Sequence, residues 1–167
     1  MKKIFWIIII LVLGYSLIQT EKIIIPKESI RLRVIANSNS TKDQAIKKEV
    51  SKRLVNNLRK NQKETMEEMR DYIKKELPTF ERIISKTLQE NKIDKDFKIQ
   101  YGNNYFPKKE YDNIIYEEGE YESLVVSLGK GTGKNYWCVL FPPLCFIDET
   151  KNIQYKSWIK EIIEKYF

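Results

Sequence analysis

The chain has 167 residues, with 30 Lys and Arg against 23 Asp and Glu, and it contains no histidine. That length accommodates one domain with its own core, and a hydrophobic content of 42% lies above that of disordered chains. The missing histidine excludes Ser-His and Cys-His catalysis and His-metal centres within the chain, and its two cysteines close no structural zinc site without other ligands.

Met1–Lys3 is a short positive region, followed by an apolar run from Ile4 to Ile18. The run is long for a signal-peptide core and short for a membrane span, which needs about 20 apolar residues. Residues 1–25 are therefore expected to be a signal peptide or a membrane anchor, with the positive flank left in the cytoplasm and the rest exported. Gln19-Thr20-Glu21-Lys22 is a poor cleavage site, so removal and retention of the leader both stay open. The formal net charge of +7 suits weak attraction to anionic headgroups or wall polymers. No dense Lys/Arg run interleaved with exposed aromatics is present, so no nucleic-acid site is expected.

Residues 26–167 read as a single domain. Ile30, Leu32 and Val34 alternate with Arg31, Arg33 and Ile35, the period of a half-buried strand. Asn37-Ser38-Asn39-Ser40-Thr41 follows, five residues that turn a chain or cap a helix, and Ser40 with Asp43 or Thr41 with Gln44 makes a capping-box arrangement. A helix is predicted from there to about Lys60, with Ile46, Val50, Leu54 and Leu58 stacked at four-residue spacing. A second helix spans roughly Lys63–Glu76. Pro78 then either kinks it or opens a third over Thr79–Asn91. Phe97–Tyr101 reads as a strand and Gly102–Gly119 as an irregular segment.

Tyr121–Leu128 and Tyr136–Phe141 read as strands joined in a hairpin by Gly129–Lys134. Pro142-Pro143 must end the second strand, because neither residue donates a ladder hydrogen bond. An extended run, Leu144–Ile147, comes next, and Ile153–Phe167 closes the chain as an amphipathic helix. The order implies an α+β domain: a mainly antiparallel sheet of about four strands covered by three to four helices, preceded by the N-terminal hydrophobic signal or anchor helix.

The candidate chemical sites are few. Gly129–Lys134 resembles a phosphate loop only superficially. A P-loop needs glycine where Leu128 stands and Ser or Thr where Asn135 stands, and it leads into a helix. In the acidic cluster Glu117–Glu122 no two carboxylates are held at a fixed separation, so a solvated turn is the better reading. No cofactor and no metal is expected. The Asn37–Ser40 turn concentrates polar side chains beside the free N–H groups of a helix start, which suits either plain capping or capture of a partner segment. The loop Tyr105–Tyr116 is a second candidate contact region. If the chain reverses about Phe141-Pro142, Cys138 and Cys145 face each other within bridging reach. A disulfide and two buried thiols are both compatible with that spacing.

Two segments, IRLRVIANSNSTKDQAIKKEV (Ile30–Val50) and NYWCVLFPPLCF (Asn135–Phe146), closely resemble the stage II sporulation protein R family of endospore-forming bacteria. Its members show an RxxANSDS-x-x-DQ-x-K segment early and a WWCVLFPPLCF-like segment late. Here Asn39 stands where Asp is usual and Tyr136 where Trp is usual. A Gly-x-Tyr-x-x-Leu pattern of the family recurs as Gly119, Tyr121 and Leu124, consistent with fold maintenance.

The resemblance implies a signal exported into the space between forespore and mother cell. There it would trigger a membrane-embedded aspartic protease that processes the sigma-E precursor, by binding and with no catalysis of its own. The resemblance assigns no contact residues; from the geometry of the strand and turn, the partner-contacting residues expected are Arg33, Asn37, Ser38, Asn39, Ser40, Asp43 and Gln44, with Tyr136, Trp137 and the Pro142-Pro143 corner as scaffold or secondary contacts. The competing class is an exported cell-wall hydrolase working through carboxylates, or a thiol oxidoreductase using Cys138 and Cys145. The oligomeric state is left open.

Overall fold

A computed structural model describes residues 22–111, 114–144 and 152–167, with side chains for all of them except 111 and 152–158. The apolar run Ile4–Ile18 and Cys145 lie outside the described residues. So does the expected extended run beyond Leu144. No helix among the described residues is long and apolar enough to cross a membrane.

The elements are β1 (Ile23–Ile24), β2 (Ile30–Ile35), α1 (Thr41–Lys60), α2 (Met66–Glu90), β3 (Phe97–Phe106), β4 (Lys109–Tyr111), β5 (Ile114–Tyr116), β6 (Gly119–Leu128), β7 (Asn135–Phe141) and α3 (Asn152–Tyr166). They form an α+β domain with two mixed sheets rather than one mainly antiparallel sheet. The larger runs β3-β6-β2-β7 and the smaller runs β1-β5-β4. In the larger, β2 lies parallel to β6 and antiparallel to β7. In the smaller, β1 is parallel to β5 and β5 antiparallel to β4.

The expected β6–β7 hairpin does not form. Both strands are present, but β2 sits between them. Glycines in a short connection fit a hairpin turn, yet they serve a connection over the end of an inserted strand equally well. Neighbouring strands lie about 4.8 Å apart, so the 129–134 loop must bridge about twice that spacing across the C-terminal end of β2.

Of the two alternatives at Pro78, the continuous helix is the one observed: α2 runs through it without a break. The helix is opened by a reciprocal capping box, in which the Thr65 hydroxyl accepts from the Glu68 N–H and the Glu68 carboxylate from the Thr65 N–H, both at 3.2 Å. Met69 and Ile73 before the proline, and Phe80, Ile84 and Leu88 after it, are all buried in one core. That shared burial offsets the missing hydrogen bond. Lys74, whose carbonyl loses its partner, is exposed, so water can satisfy it. A further expectation is corrected: Gly102–Gly119 is not irregular. β3 runs on to Phe106, paired with β6 over its whole length from Phe97–Leu128 to Phe106–Gly119.

α1 and α2 cover one face of the large sheet. Ile46, Val50, Leu54 and Leu58 of α1 meet Leu32, Val34, Leu124, Val126 and Leu128 of the sheet in the main core. On the other face a smaller core joins Ile23, Ile25 and Ile114 to Val139, Leu144, Ile159 and Ile162. This second core reaches the large sheet through Val139, near one end of β7, and the remainder of that face carries a different set of side chains.

Candidate functional site

The turn after β2 is the better developed of the two sites. α1 begins with Ser40 as its N-cap, in extended backbone, and its hydroxyl accepts from the Asp43 N–H at 3.2 Å. Asp43 does not return the bond to close a capping box. Its carboxylate instead accepts from the Asn37 amide and the Ser38 hydroxyl, both at 2.6 Å, and from the Lys95 ammonium at 2.8 Å. The bond from Lys95, then those from Ser38 and Asn37, hold Asp43 well below the usual carboxylate range. The Ser38 hydroxyl also accepts from the Ser40 N–H at 3.1 Å.

The 129–134 loop closes over this turn because it has to pass the end of β2. The Asn37 side-chain oxygen accepts from the Lys130 N–H at 3.0 Å, and the Asn37 carbonyl accepts from the Thr132 hydroxyl at 2.8 Å. The Asn39 side-chain oxygen accepts from the Lys134 N–H at 2.8 Å, and the Ala36 carbonyl from the Gly133 N–H at 2.8 Å. A β-carbon on Gly133 would collide with the Ser38 carbonyl oxygen, and one on Gly129 (φ +55°) with the Asn37 amide. Gln44 donates to the Ser38 carbonyl at 2.9 Å. Lys47, only 6% exposed, donates to Gln44 Oε1 at 2.8 Å and to the Lys134 carbonyl at 3.2 Å. Burial, then the nearby Lys48 and Lys134, push the Lys47 ammonium down.

Asn37, Ser38, Asn39, Ser40, Asp43 and Gln44 therefore come together as the sequence suggests, and each bonds within the chain. Lys95, Lys47 and the loop backbone complete the cluster. Nothing in the sequence points to Lys95, since it lies 52 positions from Asp43. A shallow depression of about 520 Å³ opens beside the turn, lined by Asn37, Asp94, Lys95, Asp96, Gly129 and Lys130.

The second site is the face of the large sheet opposite α1 and α2. Strand alternation puts Arg31, Arg33 and Ile35 there, opposite Val139, Trp137 and Asn135 of β7. On the other side of β2 they align with Ser123, Val125 and Ser127 of β6. β3 continues this face with Lys98, Gln100 and Gly102. None of these positions carries an acidic side chain.

Arg31, 3% exposed, lies with its guanidinium carbon 3.3 Å from the centre of the Tyr121 ring and 5.4 Å from that of Phe106. Its Nε donates to the Ser29 hydroxyl at 3.3 Å, while Nη2 is buried without a partner among the described residues. Arg33 is half-buried over Trp137, 4.8 Å from the ring centre. Asn135, with its amide oxygen turned to Arg33, accepts from Nε and Nη2 at 3.2 and 3.1 Å. Burial pushes both guanidinium groups down from their ordinary values. Phe106 meets Trp137 edge to face at 5.2 Å.

Arg70 and Arg53 provide the contrast. Arg70 holds Glu122 in a two-pronged bond at 2.7 and 2.9 Å, which Tyr101 joins at 2.8 Å. Burial raises the Glu122 carboxyl, but the bonds from Arg70 and Tyr101 bring it below its usual range. Arg53 bonds to Glu49 and Glu90 at 2.7 and 2.6 Å.

The remaining candidates are dispersed. Tyr136 and Cys138 project to the helix-covered face and pack against the main core, away from Trp137. Cys138 is disulfide-bonded, and Cys145 lies outside the described residues. Phe141-Pro142 is a cis peptide. In the acidic cluster, Glu117 faces Lys108 at 3.3 Å, Glu118 accepts from Tyr105 at 3.2 Å and Glu122 serves Arg70, so each faces a different donor. Among the described residues no group of three or more Asp, Glu or Cys is placed to hold a metal ion.

Comparison with known proteins matches residues 26–151 to the family described as Stage II sporulation protein R. The chain is also 36% identical over 132 residues to the stage II sporulation protein R of Bacillus subtilis (strain 168). The match covers 78% of this chain and 59% of that protein, so the chain spans less than two thirds of the relative's length. No solved structure matches it. The two blocks at Ile30–Val50 and Asn135–Phe146 that carry the resemblance both lie within the matched range, and the chain belongs to the stage II sporulation protein R family.

Proposed function

We propose that this sporulation protein is an exported signal that triggers a septal, membrane-embedded aspartic protease to process the sigma-E precursor in the mother cell. Its place is the space between forespore and mother cell, and its N-terminal apolar run serves as signal peptide or anchor. Family membership over residues 26–151 is the observation that carries this reading. The chain acts by protein-protein binding and breaks no bond itself. To activate the protease it must bind the active form more tightly than the resting form. Its net positive charge adds a weak attraction to the membrane surface. Cys138 pairs with Cys145, tying β7 to the segment after the Pro142-Pro143 corner.

The test is reconstitution in a host that does not sporulate, with the full chain, the protease and the sigma precursor expressed together and precursor size followed by immunoblot. Cleavage that depends on this chain is the expected result. An intact precursor in the presence of exported, folded chain would overturn the reading.

A further inference from the structure

Arg31 and Arg33 stand two residues apart on one strand, about 7 Å from each other. Arg53 and Arg70 each hold a carboxylate, whereas neither β2 arginine has one among the described residues. Taking a guanidinium out of water without an opposing charge is costly, and bringing two close on one face compounds the cost. The Asn135 oxygen occupies only the Nε–Nη2 edge of Arg33, leaving the Nη1 edge of the fork without a bond among the described residues. Trp137 orients that fork from below, and Ile35 and Val125 flank it.

We propose that the Arg33–Trp137 half of this face docks an extended acidic segment of the protein partner, with a carboxylate on the Nη1 edge of Arg33 and an apolar neighbour against Trp137 and Ile35. This rests on the reading that the chain works by binding a protein, and it adds the surface and the chemistry. Charge complementarity selects the occupant. A planar guanidinium held on an indole matches a carboxylate in two-pronged geometry. A second copy of the same face would set Arg33 against Arg33. A lipid surface is recognised by clusters of four to eight basic side chains, and on this face, among the described residues, only Lys98 accompanies Arg33 outside the buried Arg31.

The first test titrates the full chain at low salt with a ten-residue Glu-Val repeat and with its twin carrying Gln for every Glu. The Glu peptide should bind at least ten-fold more tightly. Arg33→Gln should abolish that difference at an unchanged melting temperature, and Arg33→Lys should restore part of it. Equal binding of the two peptides, or a preference that survives Arg33→Gln, overturns the proposal.

The second test needs no folded Arg33 variant. A photo-cross-linking phenylalanine derivative replaces Trp137 in the full chain, co-expressed with the protease and the precursor. Cross-linking to a segment rich in Asp or Glu on the protease supports docking. Cross-linking to phospholipid, to a second copy or to the chain's own Asp148-Glu149 segment overturns it, as does cleavage without any cross-link to protein. Processing that is unaffected by Arg33→Gln sinks the docking surface and leaves the signalling function standing. If the wild-type chain gives no processing but keeps its preference for the Glu peptide, the function fails and the acidic-segment surface stands.

Discussion

The turn after β2 and the back face of β2 are neighbours in the chain, yet they use their polar groups in opposite ways. The turn has the composition of a binding site, and its side chains and several of its backbone groups bond inward, to α1, to Lys95 or to the loop crossing the strand end. The strand face looks like ordinary alternation, but it holds two guanidinium groups with no carboxylate among the described residues. Polarity alone therefore does not distinguish the two regions. Whether the polar groups are satisfied does, and satisfaction is a property of tertiary structure.

Several substitutions test this contrast. The largest effect should come from Gly133→Ala, which drives a β-carbon into the Ser38 carbonyl and the Ala36 side chain. A loss of about 3 kcal/mol or more is expected in urea unfolding, at the upper end for single substitutions. A loss below about 1 kcal/mol would mean that the loop is not locked onto the turn.

Asp43→Asn should come next, at about 2 kcal/mol at neutral pH, because three donors lose a charged acceptor. Its pH dependence has a definite sign. The folded-state carboxyl lies below its unfolded value, near 3.9, so its contribution is present above that value and fades as pH falls toward the folded one. The stability gap between wild type and Asp43→Asn should therefore be full at pH 7 and narrow below about pH 4. A gap that is constant from pH 7 to pH 2 would refute the ionic role.

Ser40→Ala removes the cap of α1 and should cost about 1 kcal/mol. If the turn is a structural lock, any loss of signalling will follow the melting temperature. A signalling defect at an unchanged melting temperature would make the turn a contact surface after all. The smallest stability effect is expected for Arg33→Gln, within about 0.5 kcal/mol, because its guanidinium is half-buried and opposed by no carboxylate among the described residues. Precursor processing should nevertheless be lost. Destabilisation on the scale of Asp43→Asn would assign Arg33 to the scaffold and remove the contrast between the two regions.

Much of the fold is legible in the residues alone. The Ile30–Ile35 alternation, the Ile46–Leu58 stripe, the Ser40 cap and the closing amphipathic helix all follow from local periodicity and capping chemistry, and all are present. Gly102-Asn103-Asn104 misleads because a turn-forming composition says little about a strand paired along its whole length with β6. Pro78 leaves two alternatives open because the penalty for an interior proline is local, while the burial of Phe80, Ile84 and Leu88 that favours the continuous helix is a tertiary gain. The turn residues stand out as a group, but their partners are hidden, since Lys95 and the 129–134 loop are remote in sequence. Arg31 lies in plain view as one of two arginines on one strand face, and only the lack of an opposing carboxylate among the described residues sets it apart.

Residue type and short spacing are enough to settle the helices, most strands of the large sheet, the family and the exclusion of histidine chemistry, because each of these is a local property of the chain. The insertion of β2 between β6 and β7 belongs to the tertiary structure alone. That insertion makes the 129–134 loop cross the strand end and bond to the Asn37–Ser40 turn, and it sets Arg33 above Trp137 with no acid opposite among the described residues. The register of strands distant in the chain is settled by which apolar faces can be buried together, and no local spacing carries that information.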